Sequence, residues 1–168
     1  MERNKKILIA LTLSTVILVV LLFLAPRTPQ LSEDQLNKSP LDLKVEKAIE
    51  MVQSTGMPMQ GIMLLREVLE EDPKHREAIW QLGMFSIQSG QYDKAIERFK
   101  SLIEIIGDEN QKENIGPLFE LSKAYIAVVD YENAVSTLTK LESLVEDETL
   151  KQDIKTKKEE LNNVLKNN

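Results

Sequence analysis

Few residues in this chain could do chemistry. His75 is the single histidine, so no histidine cluster can hold a metal ion. There is no cysteine, which excludes disulfides, thiolate metal sites, cysteine nucleophiles and an acylated lipoprotein anchor. Glu70-Glu71-Asp72 and Glu146-Asp147-Glu148 are carboxylate clusters, but neither alternates oxygen ligands around a central glycine as a calcium loop does. Each reads as a solvated acidic turn. His75, beside Pro73-Lys74, reads as a surface residue of a helix–helix turn. The glycines are scattered and form no phosphate-cradling loop. Catalysis, a cofactor and a metal site are therefore not expected, and the chemistry left is that of association. Trp80, Met84 and Ile87 recur at i, i+4, i+7, off the face that Leu82 and Phe85 need for packing. Phe119, Lys123 and Ile126 repeat that spacing. Burying Trp80 or Phe119 would contribute about 1.5–3 kcal/mol each, and large aromatics are favoured binding anchors. The competing reading packs this stripe within the protein itself, for example beneath the segment 26–40.

The elements that must position these side chains are amphipathic helices. From 76 to 105 two run back to back. The first, near 77–89, carries Ala78, Ile79, Leu82, Phe85 and Ser86, and Gly90 closes it. Asp93 is expected to cap the second, where Ile96, Phe99, Leu102 and Ile103 recur at helical spacing. Gly83 and Ala95 are small where two helices would approach closely. Upstream, 41–55 carries Leu43, Ala48, Ile49 and Val52 and ends at Gly56; 59–71 follows Pro58 with Ile62, Leu65, Val68 and Leu69. Asp72-Pro73 stops it, since the residue before proline avoids the helical region. Downstream, Gly107-Asp108 leads into a polar loop, 109–114. A third pair begins near Ile115 and Pro117, with Leu118, Leu121, Ala124 and Tyr125 on one face and Tyr131, Ala134 and Leu138 on the next helix. Val129 stands where a helix-ending glycine would, and Asp130 can start the following helix. A last helix, 149–165, is rich in Lys and Glu, with Leu150, Ile154, Leu161 and Leu165 as a narrow apolar stripe.

Gly56 and Gly90 lie 34 residues apart. Leu82-Gly83, Gly90, Tyr92, Ala95 and Phe99 resemble the consensus of the tetratricopeptide repeat, a helix–turn–helix unit of that period. The resemblance covers about 41–165. It implies an all-α solenoid of about three repeats, 41–73, 76–107 and 115–147, with 148–168 as a capping helix. The first repeat departs from the pattern, with Gly61 in the place of Ala95 and Pro58 in that of Tyr92. The resemblance makes Leu82, Gly83, Ala95, Phe99, Leu121, Ala134 and Leu138 the repeat-packing residues. It also implies a concave groove lined by the first helix of each unit: Trp80, Met84, Ile87 and Gln88 from the second, Phe119, Lys123 and Ile126 from the third, and Glu46, Glu50 and Gln53 from the first. The clamp of Lys, Arg and Asn with which some members hold a C-terminal carboxylate is broken here, since only Lys123 is basic among these. An apolar or basic protein segment is the expected ligand.

Residues 7–25 are apolar apart from Thr12, Ser14 and Thr15. About 19 residues at a 1.5 Å rise give roughly 28 Å, enough to cross a bilayer core. Arg3, Lys5 and Lys6 against Glu2 keep 1–6 in the cytoplasm and send the rest outward. A cleaved signal peptide is the competing reading, against which stand the length of the run and Pro26 directly after Ala25. Residues 26–40 read as a linker. From Thr28 onward there are 17 basic and 26 acidic residues, a net charge of −9, a poor match for nucleic acid or an anionic membrane surface. The layout resembles the small anchored repeat proteins of Gram-negative bacteria. That implies a single-pass inner-membrane protein with its repeats in the periplasm, scaffolding a membrane-associated complex. An assembly factor similar to the repeat subunits of cytochrome c maturation systems, and a self-associating structural protein, remain alternatives.

Overall fold

A computed structural model describes residues 38–53 and 56–167. The chain divides into two units, Met1–Asn37 and Lys38–Asn168, and the described residues all belong to the second. The expected anchor at 7–25 lies outside them. Among the described residues, no helix is long and apolar enough to cross a membrane.

Among the described residues seven α-helices follow one another: α1 Pro40–Gln53, α2 Pro58–Glu71, α3 Arg76–Gln88, α4 Tyr92–Ile106, α5 Ile115–Ala127, α6 Tyr131–Leu144 and α7 Glu148–Asn167. A short 3₁₀ turn, Gln111–Asn114, precedes α5. Helices α1/α2, α3/α4 and α5/α6 form three packed pairs, each pair contacts the next, and α7 packs on α6. The result is a helical stack, as the 34-residue spacing predicts.

Local chemistry sets the boundaries. Pro40 does not close a linker but opens α1, where its missing N–H costs nothing. Ser39 caps that helix reciprocally: its Oγ accepts from the Asp42 amide at 3.1 Å, and the Asp42 carboxylate accepts from the Ser39 amide at 3.1 Å. Gly56, Gly90 and Gly107 all adopt left-handed φ, at 66°, 71° and 69°. Val129 does the same at 63°. It ends α5 with the hydrogen bonds that Gly90 gives α3: the amides of Gly90 and Gln91 donate to Ile87 and Ser86, those of Val129 and Asp130 to Ile126 and Tyr125. Asp130 then caps α6, accepting from the Asn133 amide at 3.2 Å. Two expectations are corrected. Helix α4 begins two residues earlier than a cap at Asp93 allows, so Asp93 lies in its first turn near the positive helix end, and Gln91 at the cap makes no side-chain bond. The polar segment 109–114 is not simply a solvated loop. It winds into the 3₁₀ turn, and Asn114 is buried at 1% exposure, its amide donating to the Gly107 carbonyl at 3.1 Å.

The core is a chain of apolar clusters. Val45, Ala48, Leu65, Val68, Ala78, Leu82 and Phe85 join α1, α2 and α3. Ala95, Phe99, Leu121 and Ala124 join α4 to α5. Leu118, Ala134, Leu138, Leu141, Val145, Ile154 and Leu161 join α5, α6 and α7. Close approach within two pairs depends on glycine. A Cβ on Gly83 would stand 2.7 Å from the Phe99 ring, and one on Gly61 would stand 2.5 Å from the Ala48 carbonyl oxygen. Gly61, the irregular residue of the first pair, is therefore where the backbones of α1 and α2 come nearest.

Candidate partner-binding surface

The packing residues Leu82, Gly83, Ala95, Phe99, Leu121, Ala134 and Leu138 are all buried. They belong to the three successive clusters or, for Gly83, press on the Phe99 ring within the second.

The seven groove residues of the second and third pairs divide; of the three from the first, Glu50 and Gln53 are exposed and Glu46 pairs with Lys38. Trp80 is half-buried and meets Phe99 edge to face, with ring centroids 5.5 Å apart. The far edge of its indole lies 3.5 Å from where a Gly116 Cβ would project, so the start of α5 closes over it. Met84 and Ile87 are also half-buried, against the cluster that joins α4 to α5. Ile126 packs instead on the cluster shared with α6 and α7. Gln88, Phe119 and Lys123 are exposed. Phe119 is 41% exposed, with the Lys123 ammonium 5.4 Å from its ring centroid. Lys123 is held there by Glu120, the carboxylate oxygens lying 2.8 and 3.1 Å from Nζ. Phe119 is thus the large aromatic offered to solvent, while Trp80 has most of its ring committed to helix packing. The segment 26–37, a candidate cover for the stripe, lies outside the described residues.

Trp80 also borders a cleft of about 650 Å³ that sequence reasoning missed. Its apolar side is Trp80, Leu102, Ile106 and Pro117; Asp42, Asp72, Lys74, His75, Arg76, Glu77 and Glu113 supply the polar side. His75 helps to shape this cleft. Its Nδ1 accepts from the Ala78 amide at 3.3 Å, capping α3, while Nε2 sits 3.1 Å from Asp42 Oδ1. The ring therefore ties the first turn of α1 to that of α3, across 33 residues of sequence, and is not a free surface group. With Nδ1 accepting, Nε2 is the ring nitrogen left to donate to Asp42. The Asp42 carboxyl is held below its ordinary value chiefly by the Ser39 hydroxyl; burial opposes this, and the Ser39 amide and His75 add to it. The only sequence signal for the tie was a histidine directly after an Asp-Pro-Lys turn. Among the described residues, no group of three or more His, Asp or Glu side chains could hold a metal ion.

Comparison with known proteins agrees with this architecture. A tetratricopeptide repeat family model matches residues 55–113, which takes in α2, α3 and α4. A solved structure of a point mutant of MamA is similar in fold, with a TM-score of 0.53 and 23% identity over 63% of this chain. The chain spans 58% of that protein's length. No curated protein matches.

Proposed function

On the match of a tetratricopeptide repeat family model to residues 55–113, we propose that this chain is a protein–protein interaction scaffold and not an enzyme. Its repeats would present the exposed edge of α5 to an apolar or basic partner segment. The observation that carries this reading is the Phe119 ring, 41% exposed under a lysine that Glu120 holds in place. A large aromatic left in water is a poor use of surface unless something covers it. Met84 and Ile87 lend a half-buried apolar floor, and Glu50 of α1, with Glu46 beyond its pairing to Lys38, would supply an acidic side suited to a basic segment.

The proposal also places this scaffold at the bacterial inner membrane. The apolar run 7–25 would be an uncleaved anchor and the repeats would face the periplasm. What supports this is the length of the run and the basic flank at Arg3, Lys5 and Lys6. A role in assembling a cofactor-bearing membrane complex is a narrower form of the same reading.

The test is site-specific photocrosslinking from position 119 in full-length protein in its native membrane, with position 155 on α7 as control. A partner captured from 119, absent from 155 and lost with Lys123→Glu is the expected result. Equal capture from both positions would overturn the assignment. Trp80→Ala is unsuited to this purpose, because removing that ring disturbs the packing of α3 on α4 and α5.

A further inference from the structure

On the opposite side of α3 from Trp80, the stack presents a small basic cleft that the groove does not use. It lies between α2 and α4 over the last turns of α3, and its charged lining consists of Arg66, Lys94 and Arg98. Ser86, Ser89 and Gln91 complete its polar wall. No carboxylate lines it. This is unusual for a unit in which 24 acidic residues outnumber 17 basic ones from Lys38 onward. Elsewhere among the described residues several basic side chains pair with acids, as in Lys44–Glu71, Arg76–Glu113, Lys112–Glu146 and Lys158–Glu142. Arg66, Lys94 and Arg98 form no ion pair there.

The three cations are positioned differently. Arg98 is half-buried, and one of its guanidinium nitrogens donates to the Leu82 carbonyl at 2.8 Å and to Ser86 Oγ. Its planar fork is thereby fixed, and the other N–H donors are left over. Burial, and then the neighbouring charge of Arg66, disfavour its charged form, with Glu97 opposing from outside the cleft. Lys94 is braced by Gln91 Oε1 at 2.6 Å. The Leu82 carbonyl and the Ser86 hydroxyl account for Arg98 alone, yet Arg66 is brought up against the same place from another helix.

We propose that this cleft is a receptor for a carboxylate, presented by an acidic segment of a partner protein. The open space is about 40 Å³, little more than the roughly 30 Å³ share of one water molecule, so it admits a single small anionic group. A carboxylate there would accept bidentate bonds from a guanidinium and relieve the repulsion between Arg66 and Arg98. This second surface selects acidic segments, the opposite of the first, so one scaffold could engage two chemically distinct partners.

The test is fluorescence anisotropy of a labelled hexaglutamate peptide with full-length protein in detergent at low salt. Arg66→Gln and Lys94→Gln remove exposed charges and leave the Arg98 contacts intact. Saturable binding is expected, weakened about tenfold by either change, consistent with loss of one charge-assisted bond. Lys155→Gln, an equal charge change on α7, should have no effect, nor should Phe119→Ala. Absence of binding, unchanged affinity in both cleft variants, or equal weakening by Lys155→Gln would overturn the proposal. Self-association abolished by Arg66→Gln would overturn the choice of a foreign partner, making a second copy the occupant.

Discussion

Trp80 and Phe99 pack edge to face, their planes 61° apart, and this one contact joins the two helices of the central pair beneath the start of α5. It decides how mutations along the stripe will read. Trp80→Ala should destabilise the fold by about 3 kcal/mol, the low end for a buried Trp truncation because the ring is only half-buried. Phe119→Ala should change stability by less than about 1 kcal/mol, since much of its ring is already in solvent. Thermal denaturation of the two variants side by side checks this. Equal losses would mean that Phe119 is covered.

Val129 and Gly90 make the same turn with different residues. A β-branched side chain in the left-handed region costs roughly 1–2 kcal/mol, and at 66% exposure Val129 recovers little by burial. Val129→Gly should therefore raise stability by about 0.5–1 kcal/mol, after the extra chain entropy of glycine is subtracted. Gly90→Val should lower it by about 1–2 kcal/mol. Chemical denaturation of both checks the pair; a destabilising Val129→Gly would show that the valine makes contacts not seen here.

Gly61 and Gly83 should both resist alanine, to different degrees. At Gly83 the obstacle is the Phe99 ring, and at Gly61 it is main chain, the Ala48 carbonyl, together with the Val52 side chain at 2.6 Å. A ring can tilt, whereas a helix must move bodily. Gly83→Ala should cost about 1–2 kcal/mol and Gly61→Ala about 2–3 kcal/mol. Melting curves that rank them in the reverse order would undo this account. For the same reason Ala95→Leu, fully buried beside Phe99, should cost about 1–3 kcal/mol.

Acid should weaken the junction between α1 and α3. The Asp42 carboxyl is depressed in the folded chain, first by the Ser39 hydroxyl. Its contribution is therefore fully present above the unfolded value of about 3.9 and is lost as pH falls through the depressed folded value. Asp42→Asn should flatten the acid limb of stability against pH below about pH 4 and leave the neutral region nearly parallel. His75→Ala should cost about 1 kcal/mol near neutrality through the lost α3 cap, and His75→Asn should restore much of it. A pH–stability profile of the three variants checks both statements.

The helices, their pairing and their glycine-terminated turns were legible because each depends on short-range pattern: Leu82 and Phe99 recur at helical spacing, and Gly56 and Gly90 need left-handed backbone. What could not be read depends on contacts far apart in sequence. His75 is indistinguishable from a surface turn residue until Asp42 is placed beside it. Asn114 sits in a polar run, and its burial follows only from the Gly107 carbonyl it meets. The outward face of α3 was legible as a stripe, but periodicity does not say how much of it the next pair consumes, and the start of α5 takes Trp80 before a ligand can. Arg66 and Arg98, on separate helices, carry no sequence signal of their convergence.

The ties between successive layers have a mechanical consequence. Asp42–His75 binds the first pair to the second and Arg76–Glu113 binds the second to the turn before α5, while Lys44–Glu71 joins the two helices of the first pair and Lys112–Glu146 links the turn before α5 to that before α7. Lys44–Glu71, Arg76–Glu113 and Lys112–Glu146 are ion pairs between exposed side chains, so dissolved salt screens them. The apolar clusters that form the other attachment between layers are not screened. Raising ionic strength therefore loosens one margin of the stack and leaves its spine intact. The unit should therefore respond as a hinged strip, its ion-paired margin easing with added salt while the apolar packing holds the spacing of side chains along α3 and α5.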